Sequence, residues 1–393
     1  MDGKRFLSTK EENHLREVVI VEAVRTPTGK RNGKLSQIRP DDLLAMVLKE
    51  VVNRAGLDAS HVEDVIAGCV TQTSEQANDI ARLAALIAGF PITVPGVTLD
   101  RQCGSSQQAV HFACQAILSG DMDAVIACGV ESMSRVPMFS NLQGAKNSRL
   151  LTERYEIINQ GLSAERIAEQ WGFSRADLDR FSLESHEKAV RAMKEGRFDR
   201  EIMEVETGNG TVKKDEGPRE NSSMEKLASL EPPFLPSGKV TAGNASQISD
   251  GAAAILLMSR EKADELGMKP RFKVIARSVI GSDPTLMLTG PVAATEKALK
   301  KAGMRLEDID LFEVNEAFAS VPLQWLQETG AVPEKLNVNG GAIALGHPLG
   351  ASGARIMTTL IHELERQNKR FALQAICEGF GMANATIIER LEQ

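Results

Sequence analysis

The segment VTLDRQCGSSQQAVHFACQAILSG, residues 97 to 120, sets Cys103 between a β-branched, strand-like run and a helix rich in small residues. A thiol in the first turn of a helix feels the partial positive charge of unpaired amides, which favours thiolate. Lowering a thiol pKa from about 8.5 to about 6.5 takes roughly 2.7 kcal/mol. A helix end supplies about 0.3 to 1 kcal/mol, rising to about 2 when partly buried. A nucleophilic role therefore requires a second cation or a base. Without one, a cysteine packs like alanine, and Cys69, Cys114 and Cys128, in apolar strand and helix contexts, keep that structural role.

The base is offered by His347 in NVNGGAIALGHPLGASGAR, residues 337 to 355. Glycines on both sides of the His-Pro step permit positive φ and close backbone approach, so the loop can hold an imidazole at a site and leave room for a ligand. The alternatives are a dinucleotide loop and a turn histidine satisfied by its neighbours. The glycine spacing misses GxGxxG and no GK[ST] follows, which weakens any phosphate-loop role. A Cys and His brought together by the fold form an activated nucleophile. EVNEAFAS places Asn315 and Glu316 where an apolar strand gives way to a helix, at the carboxyl end where α/β sheets bind ligands. Asn315 can donate to an oxygen or hold a water. QAICEGFGMANATI places Cys377 at the end of another apolar strand, followed by Gly379 and Gly381, with core packing as the alternative.

The elements that position these residues alternate in period. EVVIVEAV is strand-like, DDLLAMVLKEVVNRAG repeats its apolar residues at helical spacing and ends at Gly56, and DVIAGCV returns to strand. This rhythm predicts a layered, mainly parallel α/β sheet. RAGLDASHVEDVIAG and KAGMRLEDIDLFEV share a helix end, a turn with an acid and a following strand, which makes them copies of one unit. The superposed halves pair DAVIACGVES with FALQAICEGFG, and the helix after Cys103 with the one starting near Ser352. Residues 132 to about 245 break the pattern as an inserted lid or substrate-binding region. It is helical and amphipathic around SAERIAEQWGFSRADLDRFSLESHEKAVRAMKEG, with capping signals Ser163 to Arg166 and Ser174 to Asp177. The expected partition is 1–270 for the first half with its insertion and 271–393 for the second.

Composition narrows the function class. The 393 residues are 42% hydrophobic with a formal net charge of -7, enough apolar content for a large core. Lys and Arg are scattered rather than striped, which argues against nucleic acid and anionic membrane as partners. No apolar run reaches the roughly eighteen residues of a membrane span. The start, MDGKRFLSTKEENHLRE, carries four acidic residues and lacks a signal-peptide core, so it reads as a frayed lead-in. Five cysteines without a CxxC pair suit reduced thiols in a cytoplasm, and six histidines without HExxH or paired spacing leave no expected metal site.

Together, CGSS at 103, NEAFA at 315, NVNGGAIALGHPLGASGAR at 337 and the late Cys-x-Gly at 377 resemble the thiolase family, the acetyl-CoA acyltransferases. The resemblance spans nearly the whole chain, including VIVEAVRTPTGK at 19, ACGVESMS at 127 and GKVTAGNASQISDGAAA at 238. It implies a thiolase-like α/β fold, two βαβαβ halves in α/β/α/β/α layers with the inserted loop region, assembled as a homodimer or homotetramer. It implies that Cys103 takes the acyl group, that His347 accepts its proton, and that Cys377 is the second acid and base. One oxyanion hole would use His347 with a water held by Asn315, and another the amides of Cys103 and Gly379; fixed donors suit both the enolate and the tetrahedral intermediate. Coenzyme A and acetyl-CoA would be substrates, with no permanently bound cofactor, and Ser246, Phe318 and Arg219 would contact the coenzyme. The implied reaction is thiolytic cleavage of a 3-ketoacyl-CoA, or the reverse condensation of two acetyl-CoA. The alternatives are a malonyl-dependent ketoacyl-synthase-like condensation, which needs no second thiol, and a non-catalytic acyl-CoA binding protein or thiol sensor. The chain departs from the family where CEGFG replaces Cys-Ile-Gly-Gly-Gly, introducing Glu378 and Phe380, and where Gln160 replaces a methionine.

Overall fold

The computed structural model describes residues 16–392, so most of the expected N-terminal lead-in lies outside the described residues. Nine strands carry the main sheet: β1 (Val18–Arg25), β2 (Asp64–Gly68), β3 (Gly96–Leu99), β4 (Ala124–Ser132), β5 (Ser249–Ser259), β6 (Phe272–Gly281), β7 (Leu311–Val314), β8 (Phe371–Glu378) and β9 (Met382–Arg390). Their order is β7-β8-β9-β6-β1-β5-β4-β2-β3, with the short strand Gly29–Lys30 paired to β5. The two halves meet edge to edge where Val19 and Ile20 of β1 pair with Lys273 and Phe272 of β6.

Alternation along the strands gives each half two apolar faces. Val19 and Val21 of β1, with Ile126 and Cys128 of β4, pack outward against α1 (Pro40–Ala55) and α2 (Ile80–Ile87). Val18, Ile20, Val125 and Ala127 pack inward against α3 (Ser105–Ser119) and α8 (Ser352–Arg366), where they meet Phe272, Leu311, Ala372 and Ile388 of the second half. The second half's outer face, Leu373, Ala375, Ala385 and Ile387, is covered by Ala294 and Ala298 of α6 (Gly290–Ala302) and Trp325 of α7 (Ser320–Thr329). The expected α/β/α/β/α layering is thus present, with α3 and α8 as the shared middle layer.

The repeat is visible in the backbone. α1 and α6 both end on a left-handed glycine, Gly56 at φ 68° and Gly303 at φ 65°, and each leads through a 3-10 turn into β2 or β7. Two expectations need correction. The sheet is mixed rather than mainly parallel: β2 runs parallel to β3 and β4, and β7 to β8, but β5, β6 and β9 pair antiparallel. β8 and β9 are joined by a tight turn, which reverses direction without the crossover helix that parallel pairing needs. In the insertion, Ser174 and Asp177 do form the capping box of α5 (Arg175–Lys194), but Ser163 caps nothing. It sits inside α4 (Gln160–Gln170), whose cap is Asn159, and donates to the Leu286 carbonyl. The insertion is tied down by the buried Arg25 guanidinium, which donates to Glu201 at 2.6 Å and to Asp215 at 2.7 and 2.9 Å.

α3 and α8 approach too closely for side chains. A methyl on Gly353 would overlap the Gln107 backbone, and one on Gly350 would lie 2.6 Å from Cys69 Cα and 2.7 Å from the Gly68 and Val130 carbonyl oxygens. Gly353→Ala should therefore lower unfolding stability by up to about 3 kcal/mol, the upper end of overpacking costs, because the obstacle is backbone. Gly208→Ala, where a methyl meets nothing within 4 Å, is the control and should be nearly neutral. Urea denaturation of both variants checks this, and equal midpoints would contradict the close-packing account.

Candidate functional site

Cys103 lies one residue ahead of Gly104, the N-cap of α3, rather than inside the first helical turn. Gln102 holds a left-handed φ of 48°, which turns the chain sharply out of β3. The buried sulfur packs in a small apolar cluster with Val70, Met133, Leu349, Ile356 and Ile376. Leu349 is two residues from His347, and Ile376 precedes Cys377, so both partners enter the site beside Cys103. A methyl on Gly379 would lie 3.0 Å from Gln102 Oε1, which seats the end of β8 against the Cys103 turn.

His347 is fixed through both ring nitrogens. Ser352 Oγ donates to the Pro348 carbonyl at 2.8 Å, and with its proton so used it accepts from His347 Nδ1 at 2.6 Å. Nε2 is then the bare nitrogen, and it accepts from Asn315 Nδ2 at 3.3 Å. Burial, helped by the Arg355 charge, pushes His347 down to about 3, which keeps the imidazole neutral.

The thiols shift opposite to the expectation from a helix end. Burial raises Cys103 well above the usual thiol range, with Cys377 and Glu378 adding to the rise, and Cys377 is pushed up to about 12 by burial and then Glu378. Cys103 is ahead of the helix rather than in its first turn, and desolvation is the largest influence on its thiol. The resting site therefore pairs a neutral thiol with a neutral imidazole.

Two buried carboxylates hold the His347 loop, and the sequence did not mark either for that task. Glu131 at the end of β4 accepts from the amides of Val70 at 2.9 Å, Thr71 at 3.0 Å and Gly350 at 2.9 Å, and from Gln76 Nε2 at 2.8 Å. Glu316 accepts from Ser185 Oγ at 2.7 Å, Asn337 Nδ2 at 2.9 Å and the Ile343 amide at 3.1 Å. The signal available beforehand was an acid closing each apolar strand, in ACGVES and in EVNEAF.

A cavity of about 300 Å³ opens at Gly379 and is lined by Met138, Phe139, Leu142, Ile157, Ile158, Gln160, Phe234, Met287, Phe318 and Phe380 among others. Phe318 stands edge-on to Phe234, with ring centroids 6.2 Å apart. Phe380 is half exposed at a left-handed φ of 63°, a conformation costly for a bulky side chain. Ser246 is half-buried, and its amide donates to the Ala317 carbonyl beside Phe318. Arg219 lies elsewhere, exposed on a separate cavity of about 400 Å³ with Arg191 and Lys194.

Residues 18–261 match the thiolase N-terminal domain and residues 268–390 the thiolase C-terminal domain. The steroid 3-ketoacyl-CoA thiolase FadA6 of Mycobacterium tuberculosis is 49% identical over 386 residues, covering 95% of this chain and 94% of that protein. A 3-ketoacyl-CoA thiolase of Bacillus subtilis is 44% identical, covering 95% of this chain and 100% of that protein. The crystal structure of the Bacillus anthracis acetyl-CoA acetyltransferase superposes with a TM-score of 0.89 at 41% identity, covering 96% of this chain and all of that one. The chain belongs to the thiolase family, enzymes that transfer acyl groups between CoA thioesters.

Ser352→Ala removes the acceptor at Nδ1 and leaves a buried N–H unpaired, which costs about 1 to 3 kcal/mol. Acylation of the enzyme should slow by about tenfold or more, at roughly 1.4 kcal/mol per decade. Stopped-flow acylation by acetyl-CoA checks this, and an unchanged rate would show that Ser352 does not set the tautomer.

Proposed function

We propose that the enzyme cleaves a 3-ketoacyl-CoA with CoA through an acyl-enzyme on Cys103, and that the same site can run the reverse condensation. The observation that carries this is the packing of Cys103 in one cluster with Leu349 and Ile376, which brings the imidazole-bearing loop and the strand of the second thiol to one sulfur. His347 Nε2 takes the Cys103 proton as sulfur attacks the keto carbon. Cys377 protonates the departing acetyl-CoA enolate, is a thiolate between the half-reactions, and regains its proton from the incoming CoA thiol; the imidazolium of His347 then returns its proton to the Cys103 sulfur as the acyl group leaves. The amides of Cys103 and Gly379 have no backbone acceptor among the described residues, which supports their use as donors to the tetrahedral oxyanion. Asn315 beside Nε2 supports a water site for the thioester oxygen.

The acyl group proposed is bulky and apolar. Its support is the aromatic and aliphatic wall of the 300 Å³ cavity, which exceeds what an acetyl group fills, together with the steroid thiolase named among the relatives. CoA would lay its pantetheine arm past Ser246 and Phe318, and its phosphates would meet the cations Arg191, Lys194 and Arg219.

The boundary between halves is placed at 270/271, in the link between β5 and β6. A homodimer or larger homo-oligomer is supported by the sheet edge at β3, where Val97 and nearby Ile92 are exposed at 45% and 83%. A cytoplasmic location is supported by five free buried thiols, and no helix among the described residues is long and apolar enough to cross a membrane.

Cys103→Ala should abolish thiolysis, whereas Cys377→Ala should still accept an acetyl group on Cys103 and lose carbon–carbon bond exchange. Peptide mass spectrometry after incubation with acetyl-CoA reads both, and acetylation at Cys377 instead would reverse the assignment. Thiolysis measured across straight-chain, branched and ring-bearing substrates should favour the bulky ones, and Phe380→Gly should change kcat/KM for those more than for acetoacetyl-CoA. A chain-length profile that peaks at acetoacetyl-CoA would remove the bulky-substrate assignment.

A further inference from the structure

Glu378 closes β8 immediately after Cys377, and its side chain is fully buried. Neither of its carboxyl oxygens has a hydrogen-bond partner, unlike those of Glu131 and Glu316. Alternation puts Glu378 on the same face of β8 as Ile376, toward Cys103. There a methyl on Gly104, the residue after Cys103, would overlap Glu378 Oε1 and lie 2.8 Å from Asn384 Nδ2 of β9. Asn384 Nδ2 donates to the Gly104 carbonyl at 3.1 Å, which leaves Asn384 Oδ1 as another buried acceptor without a partner. Adjacent orphan acceptors are costly unless a proton lies between them. A protonated carboxyl has one to give, and a carboxylate has none.

We propose that Glu378 is a positioning residue for the Cys103 nucleophile: as the neutral acid it joins Asn384 in fixing Gly104, and as the carboxylate it opposes thiolate at Cys103 and Cys377 alike. The assignment presupposes the acyl-enzyme role proposed for Cys103. The titratable and charged groups facing it are Asp100, Arg101 and Cys103 from the turn ahead of α3 and Cys377 on its own strand; β9 contributes the non-titrating Asn384. Burial lifts Glu378 to about 8, against the pull of Arg101 and with a push from Asp100. At neutral pH the carboxyl therefore keeps its proton. As the pH rises through that value a negative charge appears beside both sulfurs, and their own ionisation is pushed to still higher pH.

The test is iodoacetamide alkylation of Cys103 in the full-length enzyme, followed by peptide mass spectrometry from about pH 6 to about pH 10, in the wild type, Glu378→Gln and Glu378→Asp. Wild type and Glu378→Gln should react alike below about pH 7 and diverge above about pH 8, with Glu378→Gln faster by about tenfold, the effect of one nearby charge. Glu378→Asp keeps a titrating acid and should restore the alkaline lag. The wild-type and Glu378→Asp profiles should each climb with a slope below one through the titration of the acid at 378, and the Glu378→Gln profile should not. A wild-type slope of one throughout, or an offset between variants that does not change with pH, would overturn the proposal. Wild type that is never acetylated by acetyl-CoA would instead remove the acyl-enzyme reading, whereas an acetylated wild type with superimposable profiles sinks only the role of Glu378.

Discussion

Two stretches of chain 248 positions apart, around Ser106 and Ala354, cross at backbone contact, with Ser106 Oγ accepting the Ala354 amide at 2.9 Å. Glycines at 68, 129, 350 and 353 leave the space for that crossing. Everything at the site follows from it. α3 begins just past Cys103 and α8 just past His347, so locking the starts of these helices together fixes thiol and imidazole without a direct bond between them. β8, which carries Cys377, lies against the same pair through Gln374, whose amide donates to Gln107 of α3 and to the Gly353 carbonyl of α8, both at 2.9 Å. The duplicated architecture is the reason such a crossing exists, since each half contributes one helix to the shared middle layer.

Burial at this crossing decides the electrostatics. Desolvation moves thiols up and the imidazole down, so the uncharged pair is the stable resting form. Glu131 and Glu316 are buried too, but multiple N–H and O–H donors hold them, so they act as clamps on the His347 loop. Glu378 has the burial without the donors, and that contrast separates an acid that holds structure from one that can exchange a proton.

Much of this was legible in the sequence. The repeated helix, turn and strand around residues 54 and 301 announced two halves, and the glycines flanking His347 announced a close approach. Cys103, Asn315 and Cys377 stood near strand ends and His347 in a glycine-rich loop ahead of a helix, places where local pattern is informative. Other features depend on partners far along the chain. Nothing local to Ser352 says that its hydroxyl orients an imidazole, and nothing in ACGVES says that Glu131 caps a loop 219 positions away. The direction of the thiol shifts was misjudged because a helix-end argument is local, whereas desolvation is set by the whole core. The mixed sheet was missed because antiparallel strands buried on both faces carry the same continuous apolar runs as parallel ones.

In the proposed mechanism Cys103 and Cys377 flank a single thioester-sized space. A thiol-specific bifunctional reagent of short span, such as dibromobimane, applied to the native enzyme and followed by peptide mapping, tests it most directly. One cross-linked species joining the Cys103 and Cys377 peptides is expected, suppressed when Cys103 is first acetylated. Separate single adducts on the two cysteines, with no joined peptide at any reagent concentration, would contradict it.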